Sequence, residues 1–81
     1  MDITARVTDI VREHQETPRP FGPRSDLREE AGIDSFGTIM IVNAIEETFD
    51  VTVDDTDIER FRTVEDIVEV LERAEAGAKG N

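Results

Sequence analysis

Apolar residues recur at helical spacing in three segments of this 81-residue chain, and this periodicity constrains the fold more than any other feature. The first segment predicts a helix from about residue 2 to 16, with a core face formed by Ile3, Val7, Ile10, Val11 and His14. The second predicts a helix from about residue 35 to 49, with a core face of Ile41, Val42, Ile45 and Phe49. The third predicts a last helix beginning near Val64. An all-α fold follows.

The connections between these helices are of different lengths. Three prolines and a glycine between residues 18 and 23 forbid regular structure, so a long loop is expected to run to about Asp34. Leu27 and Ile33 are expected to anchor this loop in the core. A short third helix of one or two turns is predicted between residues 54 and 61, with Ile58 and Phe61 turned inward. Residues 77–81 are expected to form a disordered tail after a single domain over residues 1–76.

The start of the last helix carries its own signal. Thr63 and Asp66 have the spacing of a capping box, with aspartate in place of the usual glutamate. In such a box, two side chains each accept a backbone N–H that the first turn leaves without a partner. The sequence therefore predicts a helix start at this point.

Charge and composition narrow the classes of function. The net charge is −11, and the chain has no cysteine, so neither a disulfide nor a thiolate metal site is available. Acidic residues dominate after residue 25, a field that repels nucleic acid and anionic membranes and attracts basic partner surfaces. The longest apolar run, Ile39 to Val42, falls far short of the roughly 20 residues that span a bilayer. No signal-peptide pattern is visible, so we expect a cytoplasmic protein. From its charge and its short apolar runs we expect it to bind neither nucleic acid nor membrane. We also expect it to be a monomer.

Ser35 is the candidate for chemical modification. It stands in the first turn of the second helix, and Asp34 just before it can cap that helix. A carboxylate there accepts backbone N–H groups and is stabilised by the helix dipole by roughly 0.3–1 kcal/mol. The Ser35 hydroxyl would then point to solvent, at a helix end that also suits a phosphodiester.

An apolar surface is predicted next to Ser35. Phe36, Ile39, Met40 and Asn43 fall nearly opposite the core face of the second helix, and so small a domain cannot fully bury both faces. One interpretation is an exposed docking site for a partner. The other is that the long loop folds over this face and buries Phe36.

These motifs resemble those of acyl and peptidyl carrier proteins. The resemblance rests on four blocks in the family's order and spacing: Asp34-Ser35-Phe36, Phe49-Asp50, Val53-Asp54 and Thr63-Val64-x-Asp66-Ile67-x-x-x-Leu71. It implies a four-helix carrier-protein bundle with a long loop between helices 1 and 2 and a short helix 3. It also implies that residues 1–76 form the carrier domain.

The resemblance implies a cofactor and a set of partners. A phosphopantetheinyl transferase would attach 4′-phosphopantetheine to Ser35, with Asp34 capping the helix and aiding recognition by the transferase. The arm would hold an acyl or aminoacyl group as a thioester, and the carrier itself would catalyse nothing. An adenylating ligase or acyltransferase would load it, and a downstream acyltransferase, synthase or modifying enzyme would use the cargo. The residues expected to face these partners are Phe36, Gly37, Ile39, Met40, Asn43, Glu46 and Glu47.

Two positions depart from the fatty-acid carriers. Gly37 and Met40 stand where those proteins often have acidic residues, whereas the run from Asp34 to Thr38 is similar to D-alanyl and other aminoacyl carriers. The resemblance therefore implies a stand-alone carrier of an aminoacyl or unusual acyl group. Its pathway is expected to be of the natural-product, polyketide or nonribosomal-peptide type.

Other functions are weaker interpretations of the same residues. The acidic cluster from Asp54 to Glu59 lacks the spacing of a calcium-binding EF-hand loop. His14, the only histidine, has no cysteine or second histidine beside it and is expected to pack at the edge of the first helix. Ser35 as a hydrolase nucleophile lacks a positioned base. The remaining rival is an acidic helical adaptor that binds partners and is never modified, in which replacing Ser35 by alanine would be silent.

Overall fold

The computed structural model describes residues 2–79, with side chains described through residue 74. Its helices are α1 (Ile3–Glu13), α2 (Ser35–Phe49), α3 (Asp55–Ile58) and α4 (Val64–Lys79), and residues 2–79 contain no β-strand. α1 packs against both α2 and α4. The all-α fold with a long first loop and a short third helix is confirmed. No helix in this part of the chain combines the length and the apolar character needed to cross a membrane.

One core joins the helices to the loops. Ile41, Val42 and Ile45 of α2 are buried as predicted, whereas Phe49 at the end of that face is only partly buried. The remaining buried residues come from α1, α4 and the connections between helices: Val7, Ile10, Val11, Leu27, Ala31, Ile33, Val53, Phe61, Val64, Ile67, Val70 and Leu71. Because loop residues contribute to this core, the connections are held in place by the same burial that holds the helices together.

α1 ends at Glu13, earlier than the predicted residue 16. His14 caps its end, half buried, with Nδ1 2.8 Å from the Ile10 carbonyl oxygen. The next residue then leaves the helix, since Gln15 Nε2 donates hydrogen bonds to the carbonyl oxygens of Arg19 and Ala31. Periodicity could not show this ending, because it depends on contacts with the loop.

α2 has the predicted bounds. Asp34 caps its start, and Asp50 follows its last residue in the left-handed backbone conformation, with φ 53°. Aspartate tolerates this conformation better than most residues do. The Asp50 N–H donates to the Glu46 carbonyl oxygen, which closes the last turn.

α3 is a single turn within the segment between residues 54 and 61, in agreement with the predicted one or two turns. The backbone after Ile58 continues in turns, in which the Phe61 N–H donates to the Ile58 carbonyl oxygen at 3.1 Å. This path buries Phe61 and leaves Ile58 partly buried, so both residues turn inward as expected.

The predicted capping box begins α4. The Thr63 N–H donates to Asp66 Oδ2 at 3.1 Å, and the Asp66 N–H donates to Thr63 Oγ1 at 3.1 Å.

The α4 helix continues to Lys79, so residues 77–79 are helical where the sequence predicted the start of a disordered tail. Alanines at 76 and 78 favour this continuation past Gly77. Residues 80 and 81 lie outside the described residues, and a domain boundary at residue 76 stays a prediction.

Candidate modification site at the start of α2

Ser35 is exposed and is the first residue of α2. Asp34 Oδ1 accepts the Gly37 N–H at 2.7 Å, and the Asp34 carbonyl oxygen accepts the Thr38 N–H at 2.9 Å. As predicted, Asp34 caps the helix and the Ser35 hydroxyl takes no part in the cap.

Arg28 contacts this hydroxyl, a feature that the sequence did not reveal. Its Nη2 donates a hydrogen bond to Ser35 Oγ at 3.0 Å, from a position seven residues earlier in the long loop. Both side chains are exposed. No periodicity or motif in the loop marks Arg28, because the contact depends on the path of the chain between the two residues.

A hydrogen-bonded turn presents Arg28. Asp26 Oδ1 accepts the N–H groups of Arg28 at 2.9 Å and Glu29 at 3.0 Å, and Glu30 Oε2 accepts the Asp26 N–H at 2.9 Å. The bond from the Glu29 N–H, more than any other influence, holds the pKa of Asp26 below its usual range, and the charges of Arg62 and Arg28 act in the same direction. Asp26 is therefore a carboxylate at neutral pH and keeps the turn folded.

Two buried residues fix the turn to the rest of the protein, as predicted. The Leu27 N–H donates to the Arg62 carbonyl oxygen at 2.8 Å, and the Leu27 carbonyl oxygen accepts the Ile33 N–H at 2.8 Å. Both side chains are in the core. Between them Gly32 has φ 78°, where a side chain would be strained, so glycine suits the return of the loop to α2.

A surface depression of about 680 Å³ opens beside Ser35, between the turn, α2 and the segment around α3. Its charged lining residues are two arginines, Arg28 and Arg62, and three acidic residues, Asp26, Glu29 and Glu59. Apolar side chains form much of the rest of its wall, namely Leu27, Ile39, Ile58 and Phe61. The depression thus offers apolar surface and charged groups of both signs next to the candidate hydroxyl.

The apolar surface of α2 is open to solvent. Phe36 is 70% exposed, Ile39 55% and Met40 39%, and Asn43 is also exposed. The interpretation in which the loop covers Phe36 is therefore wrong, because Leu27 and Ile33 draw the loop toward the core instead. Apolar patches of this kind next to a reactive group are typical of docking surfaces.

The three other residues expected to face partners differ in their surroundings. A Cβ on Gly37 would lie 3.1 Å from Ile33 Cγ2 and 3.3 Å from Asp34 Oδ1, so a side chain there would crowd the helix cap. Glu46 is half buried, and its Oε2 accepts the Val53 N–H at 2.9 Å. Glu47 is exposed. Glu46 therefore has a role within the fold that the sequence did not reveal.

A family model described as "Phosphopantetheine attachment site" matches residues 2–71. The chain belongs to this family. Among its relatives, a protein named acyl carrier protein from Syntrophobacter fumaroxidans is 32% identical over 80 residues, which cover 94% of this chain and 99% of the relative. Another of that name, from Desulforapulum autotrophicum, is 29% identical over 75 residues, covering 90% and 97%.

A solved structure shows the same fold. It is described as an acyl carrier protein from Mycobacterium tuberculosis, and the two structures match with a TM-score of 0.79. The sequence identity is 18%, and the match covers 88% of the present chain and 96% of the Mycobacterium tuberculosis chain. The predicted family, the all-α carrier fold and phosphopantetheine as cofactor are thereby confirmed. The family match and the named relatives are those of acyl carrier proteins.

The residues at the start of α2 fit such a group. The Ser35 hydroxyl is accessible, a helix N-terminus faces any anion attached to it, and the Arg28 guanidinium already donates to its oxygen. Cation and helix end together suit a phosphodiester.

Proposed function

We propose that Ser35 is the residue that carries 4′-phosphopantetheine, and that this carrier protein holds an acyl or aminoacyl group for the enzymes of a biosynthetic pathway. The observation that supports this assignment most directly is the exposed Ser35 hydroxyl at the first position of α2, left out of the cap that Asp34 makes. The only other serine, Ser25, accepts the Gly22 N–H at 2.8 Å within the loop.

The chain's own part in loading is to present a nucleophile. Ser35 Oγ forms an ester bond to the phosphorus of the pantetheine arm of coenzyme A, and the pyrophosphate bond breaks. Adenosine 3′,5′-bisphosphate leaves, and the hydroxyl proton passes to the transferase. When bound, the arm supplies a terminal thiol that holds the cargo as a thioester, a group this cysteine-free chain otherwise lacks.

The proposed partners meet the exposed face of α2. A phosphopantetheinyl transferase recognises Asp34 and Ser35, and a loading ligase or acyltransferase contacts the apolar patch of Phe36, Ile39 and Met40. Downstream enzymes use the same surface. Glu47, exposed at the far end of α2, adds negative charge that complements basic rims on these enzymes.

The proposed cargo is an aminoacyl or unusual acyl group in a pathway of the natural-product, polyketide or nonribosomal-peptide type. Gly37 and Met40 support this proposal, because they remove the negative charge that fatty-acid carriers often have on this face. The crowding that a side chain at position 37 would cause gives glycine a further structural reason to be there.

The decisive experiment measures intact mass after incubation with coenzyme A and a promiscuous phosphopantetheinyl transferase. Wild type and the control Ser25→Ala should each gain one phosphopantetheinyl group, and Ser35→Ala should gain none while keeping its helical circular dichroism. Exposed Ser35 contributes little to stability, so loss of loading without loss of fold is expected. No gain on folded wild type would instead favour the unmodified adaptor.

A further inference from the structure

The Arg28 side chain contacts Ser35 Oγ, the oxygen to which the arm would be joined. We propose that Arg28 is the phosphate-binding residue of the loaded carrier, and that it orients the arm by pairing with the phosphodiester on Ser35. This inference rests on the proposed function, since it assumes modification at Ser35. Its geometric basis is the 3.0 Å hydrogen bond from Arg28 Nη2 to Ser35 Oγ, which places the guanidinium beside any atom bonded to that oxygen.

The local charges call for a cation at this point. The chain already has a net charge of −11, and a phosphodiester adds one more negative charge directly beside the Asp34 carboxylate. The same carboxylate occupies the Gly37 N–H, one of the amides with which the helix end would otherwise bind an anion. Asp34 therefore already takes up part of the stabilisation that the helix N-terminus could give to a phosphate. Arg28 supplies positive charge in direct contact with the site.

The turn prepares Arg28 for this role. The backbone N–H of Arg28 is held by the Asp26 carboxylate, and the preceding residue, Leu27, is anchored in the core. A guanidinium offers several N–H donors in a fixed plane, which matches two phosphate oxygens better than a lysine ammonium does. Because the backbone is already ordered, only side-chain entropy is lost when Arg28 pairs with the anion.

A purely structural role does not account for the contact. Both side chains are exposed, and an exposed hydrogen bond of this kind contributes little to folding. We therefore expect Arg28→Gln to fold normally, as checked by circular dichroism, so that any change in the loaded protein reports on the arm.

The test is ³¹P NMR of the loaded protein. The phosphodiester signal of native wild type should differ from that of the same protein unfolded in urea, which serves as the reference for an unrestrained arm. Arg28→Gln should lose most of that difference, and Arg28→Lys should retain part of it. Arg60→Gln, which removes an exposed arginine outside the depression, should match wild type. Added NaCl should shift the wild-type signal toward the unfolded reference and leave Arg28→Gln nearly unchanged.

The outcomes separate this inference from the proposed function. If wild type gains no mass, both are overturned. If it is loaded but Arg28→Gln gives the native wild-type signal, Arg28 does not bind the phosphate, and the carrier function stands. An effect of Arg62→Gln in place of Arg28→Gln would likewise overturn the assignment, moving the contact to the other arginine of the depression. Slow loading of a variant is met by longer incubation, because the measurement is made on the product.

Discussion

Glu46 and Glu47 are neighbours in sequence whose carboxylates have different surroundings. Glu47 is exposed, so Glu47→Lys should leave the free energy of unfolding within about 0.5 kcal/mol and weaken the affinity for a loading enzyme. Glu46 accepts the Val53 N–H, so Glu46→Lys should also destabilise the fold, by roughly 1.5–3 kcal/mol for a hydrogen bond to a charged group. Urea unfolding and calorimetric titration at low and high salt measure the two effects.

Glu46→Gln is the matched control, because it removes the charge and keeps an oxygen that accepts the Val53 N–H. It should recover part of the stability lost in Glu46→Lys. Equal stability of the two lysine variants would show that the bond to Val53 contributes nothing. An affinity of Glu47→Lys unchanged at low salt would remove Glu47 from the docking face.

Asp34 and Arg28 show which contacts of single residues a sequence can predict. The Asp34 cap spans three residues, and its geometry follows from the helix that it starts. The residue type and its position before the helix were therefore sufficient to predict this contact. The contact of Arg28 with Ser35 spans a non-periodic loop. Its geometry depends on the burial of Leu27 and on the positive φ of Gly32, both of which are set by tertiary packing.

At the scale of elements, the capping box of α4 can be tested directly. Thr63→Ala removes the acceptor for the Asp66 N–H and should lower the free energy of unfolding by about 1 kcal/mol, within a usual range of about 0.5–2. Thr63→Ser keeps the hydroxyl and should restore most of that loss. Chemical denaturation of the three proteins decides the matter, and an equal loss in Thr63→Ser would mean that the methyl group rather than the hydroxyl stabilises the helix start.

The helix boundaries were predictable where local chemistry sets them. α2 starts at a capping aspartate and ends where Asp50 adopts a left-handed conformation, and both signals lie within a turn of the boundary. α1 ended early because Gln15 reaches across to the Ala31 carbonyl oxygen, a partner sixteen residues away. α3 is a single turn, and after it the Phe61 N–H donates to the Ile58 carbonyl oxygen, three residues earlier, in place of a continued α-helix. Distant partners leave no periodic trace in the sequence.

At the scale of the whole molecule, the net charge of −11 acts against folding. The folded protein extends 41 Å along its longest axis, and the Debye length is about 30 Å at 0.01 M salt. Acidic residues therefore repel one another over most of the molecule at low salt. At 0.15 M the Debye length falls to about 8 Å, which confines the repulsion to near neighbours.

We therefore expect the melting temperature to rise as NaCl is increased from about 0.01 to about 0.15 M. Salt also screens attraction, but the ion pairs of Arg24 with Glu65 and Arg73 with Glu69 are exposed, and such pairs contribute about 0–1 kcal/mol each. A net gain of about 1 kcal/mol would raise the melting temperature of a domain this small by about 4–8 °C. Melting followed by circular dichroism measures this, and Glu47→Lys, with a less negative charge, should show a smaller rise. A melting temperature that stays constant or falls would mean that screened ion pairs outweigh the relieved repulsion.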